Sequence, residues 1–143
     1  ISTITQGESP FEGTVLENIT MNNPAITNED IKWAIESVQL GSFIKTLPDG
    51  LETKIFPDGR QLSSSNAQKI LLARSIVNKP KILFYEDALD RMDADVAKEI
   101  IDFLTSSENK WTLIVSSKKF STGSFISMYS RRSCVGSILF LNL

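Results

Sequence analysis

Two short runs hold most of the side chains that could do chemistry. The first is Glu86-Asp87, a pair of adjacent carboxylates directly after the apolar run Ile82-Leu83-Phe84-Tyr85. Such a run reads as a strand buried on both faces of a parallel sheet. In open α/β sheets, ligands bind at the carboxyl ends of the strands. The two acids therefore stand where a ligand would meet them, and their plainer use is to cap the next element. The second run is Ser63-Ser64-Ser65-Asn66, four small polar residues with N-cap chemistry. Histidine is absent from the 143 residues, which excludes His-based triads, His metal sites and His general bases. A single cysteine, Cys134, excludes an internal disulfide framework and suits a reducing compartment.

The elements around these runs follow from spacing and punctuation. Leu62, Ile70, Leu71, Ala73, Ile76 and Val77 recur at helical spacing around the serine cluster. Asn78-Lys79-Pro80 stops that helix, because proline cannot continue it and restricts the residue before it. Upstream, Ile1–Thr5 alternates like a strand, and Gln6 and a loop through Ser9-Pro10 follow. Thr14 caps a short helix with Val15, Leu16 and Ile19. Thr27 caps another, with Asp30 at its third position and an Ile31, Ala34, Ile35, Val38 stripe. Gly41 is expected to end that helix, before a short helical turn with Phe43, Ile44 and Leu47. Pro48-Asp49-Gly50 and Pro57-Asp58-Gly59 read as turns. Beyond Asp93, Val96, Ile100, Ile101 and Leu104 line one face of a helix whose Asp95, Lys98, Glu99 and Asp102 are solvated. Trp111–Val115 reads as a further core strand, so strand–helix–strand recurs and a parallel sheet is implied.

From Leu62 to Asp93 the chain resembles, without a gap, the signature, Walker B and D-loop region of ABC ATPases, the nucleotide-binding domains of ABC transporters. The family pattern is LSGGQ, a helix, four apolar strand residues, Asp-Glu and SALD. Here it stands as LSSSN, AQKILLARSIVNKPK, ILFY, Glu-Asp and ALDRMD. FEGTVLENI after Gln6 is similar to the family's FSGTIRENI. LPDGLETKIFPDG resembles an exporter-type segment, with Phe56-Pro57 in place of the family's Gly-Glu. The resemblance implies an α/β fold: a partial P-loop NTPase of the ABC ATPase kind, with a helical lobe and a mostly parallel sheet flanked by helices. It implies a partial nucleotide-binding domain over 1–119, with the helical lobe at about 14–75 and the Walker B half at 76–119. Residues 120–143, serine-rich and free of acids, are set apart as an atypical tail.

The same resemblance implies ATP and Mg²⁺ as cofactors and assigns the residues. Ser63, Ser64, Ser65 and Asn66 would form the signature turn, closing in trans on the γ-phosphate of ATP held by a second nucleotide-binding domain. Glu86 would be the Walker B acid holding the Mg²⁺ water shell, and Asp87 would position the attacking water. Gln6 would be the Q-loop residue, reaching Mg²⁺ and that water. Asp93 would be the D-loop aspartate, or simply the N-cap of the helix after it. Ser117 or Lys118 would stand at the switch position. The family's phosphate cradle, Gly-x-x-x-x-Gly-Lys-Ser/Thr, occurs nowhere in this sequence and would lie upstream of Gln6.

Partners on this reading are a second nucleotide-binding domain and a transporter's transmembrane domain, on the cytoplasmic side of a membrane. Net charge of −2 argues against a nucleic-acid footprint, and no apolar run reaches the length of a bilayer span. Charge is uneven: after Glu108 there are five basic residues and no acid. The expected function is the ATP-binding part of an exporter, weak or inactive as this chain alone. The alternative is a non-catalytic partner domain that completes or regulates a competent ATPase subunit. A third reading is an ABC-type ATPase without membrane partners, against which the exporter-like segment argues.

Overall fold

The computed structural model describes residues 1–5, 7–86, 93–106, 108–116 and 138–141. Contacts divide the chain into two units, Gly7–Lys79 and Ile1–Gln6 with Pro80–Leu143.

The second of these units is a sheet. Strands β1 (Ser2–Ile4), β4 (Ile82–Glu86), β5 (Thr112–Ser116) and β6 (Ile138–Leu141) lie in the order β1-β4-β5-β6, and every neighbouring pair is parallel. The strand–helix–strand expectation is met by β4, α5 (Ala94–Leu104) and β5. Ala97, Ile100, Ile101 and Leu104 of α5 are buried, and Trp111 donates its indole N–H to the Leu104 carbonyl at 2.9 Å. One expectation is corrected. β4 is not buried on both faces: Leu83 and Tyr85 are sealed, while Ile82 and Phe84 are half-buried. The strand thus shows the period-two exposure of a pleated element, which four consecutive apolar letters conceal. The Ile138–Leu141 run of the atypical tail extends the sheet as β6.

The Gly7–Lys79 unit is mostly helical. It holds α1 (Val15–Thr20), α2 (Asn28–Ser37), α3 (Gly41–Thr46) and α4 (Ser64–Ile76). A two-stranded antiparallel ladder, β2 (Gly13–Thr14) on β3 (Lys54–Ile55), accompanies them. α1 and α2 both start with a complete capping box, Thr14 with Glu17 and Thr27 with Asp30, which satisfies the otherwise orphaned first amides. α4 packs on α1 and α2. It is buried almost all round, since Leu72 and Ser75 are sealed along with Ile70, Leu71, Ala73 and Ile76. Gly41 does not end α2, as expected, but begins α3; α2 stops at Ser37 and the reversal falls on Gln39, at φ 56°. Leu40, fully buried, anchors the junction. Gly59 takes φ 61°, and a Cβ there would lie 3.3 Å from Pro10 Cδ and 3.4 Å from Leu62 Cδ1. A left-handed turn packed that closely selects glycine.

Candidate functional site

In the Gly7–Lys79 unit, Ser63 stands at the N-cap of α4 with extended backbone, φ −64° and ψ 152°. Its Oγ accepts the Asn66 amide at 3.1 Å, and its carbonyl accepts the Ala67 amide at 3.0 Å. Ser63 and Ser64 are exposed; Ser65 and Asn66 are half-buried. The turn therefore presents hydroxyls at the positive end of a 13-residue helix that has no acid in its first turn. That is an environment favourable to an anion. Behind the turn Gln68 is 4% exposed, and its Oε1 has no partner among the described residues.

In the sheet unit, Glu86 is the last residue of β4 and pairs in register with Ser116, the last of β5. Ser116 in turn aligns with Leu141, the last of β6, and Ile4, the last of β1, aligns with Tyr85. β4, β5 and β6 thus end level and β1 ends one residue earlier, at the carboxyl edge where sheets of this kind meet ligands. Gln6, Asp87, Ser117 and Lys118 lie outside the described residues. Each follows a strand end by one or two positions in sequence. Asp93 occupies the N-cap position of α5, exposed, and its carboxylate makes no capping bond. Under Glu86, Tyr85 is buried with no partner for its hydroxyl among the described residues, and burial pushes its phenol pKa upward.

Mg²⁺ takes one or two carboxylates and keeps several waters; Glu86 supplies one carboxylate. No described cluster of three His, Cys, Asp or Glu forms an all-protein metal cage. No helix of the described residues is long and apolar enough to cross a membrane.

A feature without a sequence signal is the polar knot around Asn18, which is fully buried. Its Oδ1 accepts the Phe11 amide at 3.0 Å, and its Nδ2 donates to the carbonyls of Phe11, at 2.9 Å, and Thr14, at 3.0 Å. Arg74 of α4 donates to the same residue, as detailed below. The Arg74 bonds span 56 residues, so no local period could reveal them.

No family model matches the chain. Over 124 residues it is 32% identical to the ABC-type transporter kk1G of Curvularia clavata, covering 85% of this chain and 9% of that protein. It is 32% identical over 122 residues to multidrug resistance protein pgp-1 of Caenorhabditis elegans, with the same two coverages. The ATP-dependent permease MDL1 of Candida albicans is 34% identical over 109 residues, 74% of this chain and 16% of that protein. Among solved structures, a bacterial Atm1-family ABC exporter with ATP bound has a TM-score of 0.80 at 23% identity, covering 99% of this chain and 24% of that one. The homologues are thus ABC transporters, and the parallel sheet with its helices matches part of an ABC exporter. The chain spans no more than 16% of the length of these curated relatives.

Proposed function

We propose that this chain is part of the nucleotide-binding domain of an ABC exporter, with ATP and Mg²⁺ as its ligands. On this reading the turn Ser63–Asn66 faces the γ-phosphate of ATP gripped by a second nucleotide-binding domain. Glu86 and Gln6 hold the Mg²⁺ water shell, Asp87 orients water, Asp93 lies at the dimer interface, and Ser117 or Lys118 stands at the switch position. Bound Mg²⁺ would neutralise charge developing on the phosphates. The domain would work on the cytoplasmic side, beside a transmembrane domain. The observation that carries the reading is Glu86 ending a central strand of an all-parallel sheet, level with the end of β5 and one residue beyond the end of β1.

Catalysis would be weak. Ser64-Ser65 replaces the resembled Gly-Gly, which crowds the phosphate approach with two Cβ groups. Glu86-Asp87 reverses the acid pair, so each reach is wrong by one methylene. A misplacement of about 1 Å can cost on the order of 100-fold in rate. These substitutions equally favour the second reading, a non-catalytic partner that completes a competent subunit's site.

The test is Ser63→Asp, assayed as ATP-dependent association with a nucleotide-binding domain that carries a phosphate loop. Aspartate caps a helix as well as serine does, so the helix survives while a negative charge meets the γ-phosphate. Association is expected to be lost with the thermal midpoint unchanged. Association at the unsubstituted level would overturn the assignment of the turn.

A further inference from the structure

Of the two cations of α4, Lys69 makes one exposed hydrogen bond, to the Gln39 carbonyl at 3.4 Å, whereas Arg74 makes two part-buried ones to Asn18. Arg74 Nε donates to the Asn18 carbonyl at 2.6 Å and its Nη2 to Asn18 Oδ1 at 2.7 Å. The Phe11 ring covers the guanidinium, 5.2 Å from centroid to Cζ. Asn18 meanwhile holds both backbone polar groups of Phe11 and the carbonyl of Thr14. One planar cation is thus fastened to a ring, a side-chain amide and a main-chain carbonyl, all in the segment 11–18. Burial lowers its pKa, and Glu8 opposes that fall.

The fork is directional. Two N–H groups at fixed geometry reach two oxygens of one residue while the plane stacks on an aromatic face, which a lysine ammonium cannot reproduce. Cation–π stacking of this kind depends on the ring staying in place. The ring itself is 37% exposed, so something outside this segment can press on it. At the other end of the same helix lies Ser63, eleven residues and about 16 Å along the axis from Arg74. Between them Gln68 and the run Ile70–Ala73 are buried, so the helix is held by close packing along that part of its length.

We propose that Arg74 is a positioning residue which couples Phe11–Thr14, the segment soon after Gln6, to the serine turn Ser63–Asn66 through α4. A displacement of the Phe11 ring is delivered by the guanidinium to α4 and appears at its N-cap. The use made of this link rests on the nucleotide-facing reading of the turn, whereas the link itself is a property of the Gly7–Lys79 unit and needs no nucleotide.

The experiment is amide hydrogen exchange on the full 143-residue chain, without ATP, for Phe11→Leu, Arg74→Lys and the double variant. The reporters are the Asn66 and Ala67 amides, bonded to Ser63 Oγ and Ser63 O. The reference is the Ala97 amide, bonded to Asp93 O in α5. Each single variant is expected to speed exchange at Asn66 and Ala67 by about tenfold, the size of one weakened charge-assisted bond for Arg74→Lys and of one desolvated cation–π contact for Phe11→Leu. Ala97 is expected to stay unchanged. The double variant is expected to match the singles, since both cut one strut. Acceleration confined to residues 11–18, additive effects in the double variant, or equal acceleration at Ala97 would each overturn the proposal. Because ATP is absent, a failed Ser63→Asp association test leaves this result standing, and the converse also holds.

Discussion

At the residue scale, the side chains that matter most for stability are not those that advertise chemistry. Asn18 uses its amide to hold Phe11 and Thr14 while itself fully buried. Asn18→Ala removes the side-chain partner of those backbone groups and of Arg74 Nη2, while the bond from Arg74 Nε to the residue 18 carbonyl remains; the expected loss is about 2–4 kcal/mol, read as a shift of the urea midpoint. Asp30 gives a pH dependence. Its carboxylate is held down from 3.8 to about 2, first by the Lys79 ammonium and then by Thr27. A depressed folded pKa contributes stability that is present above the unfolded value and lost as pH falls through the folded one. Stability should therefore drop between about pH 4 and pH 2, modestly because the pair is on the surface. Lys79→Met should flatten that part of a pH series of thermal midpoints. Lys79 also sits over the Trp33 ring, 5.5 Å from its centroid. The Ser63 cap could be read from letters alone, because capping is local. The Asp30–Lys79 and Asn18–Arg74 ties could not, because each joins residues far apart in sequence.

At the scale of elements, the starts of helices were legible and some ends were not. Thr14, Thr27 and Ser63 each cap where their chemistry predicts. Gly41 misleads because glycine is the usual residue beyond a helix end, whereas here Gln39 adopts the left-handed conformation and frees Gly41 to begin α3. The two-residue ladder β2–β3 has no periodic signal to read, since alternation needs about four residues. It also explains Gly13. A Cβ there would lie 2.8 Å from Glu17 Oε2, the oxygen that accepts the Thr14 amide at 2.7 Å. Gly13→Ala is expected to push Glu17 out of its capping box and cost about 1 kcal/mol, most of it from the lost cap. Gly13→Ala with Glu17→Ala should then cost less than the two changes summed, the remainder coming from the Phe11 ring, whose Cε2 would lie 3.1 Å from that Cβ; a double-mutant cycle measures the difference.

For the molecule as a whole, the fold class was legible because a buried strand, an amphipathic helix and a second buried strand leave few alternatives to a parallel sheet. The order β1-β4-β5-β6 was not, since it depends on pairing between distant segments. No Gly-x-x-x-x-Gly-Lys-Ser/Thr phosphate cradle occurs in these 143 residues. Mg-ATP turnover by the chain alone is therefore expected at background, in a phosphate-release assay. Release above background that Asp87→Asn abolishes would show a competent active site and reject that expectation.

The pairing of β1 with β4 has a consequence for how the chain is made. Ile4, sealed in the core at 1% exposure, finds its place beside Tyr85, which leaves the ribosome about eighty residues later. At roughly 5–20 residues per second, Ser2–Ile4 waits on the order of 4–16 seconds as an unpaired apolar strand. Chaperone occupancy over Ser2–Ile4 during synthesis is therefore expected to fall once β4 emerges.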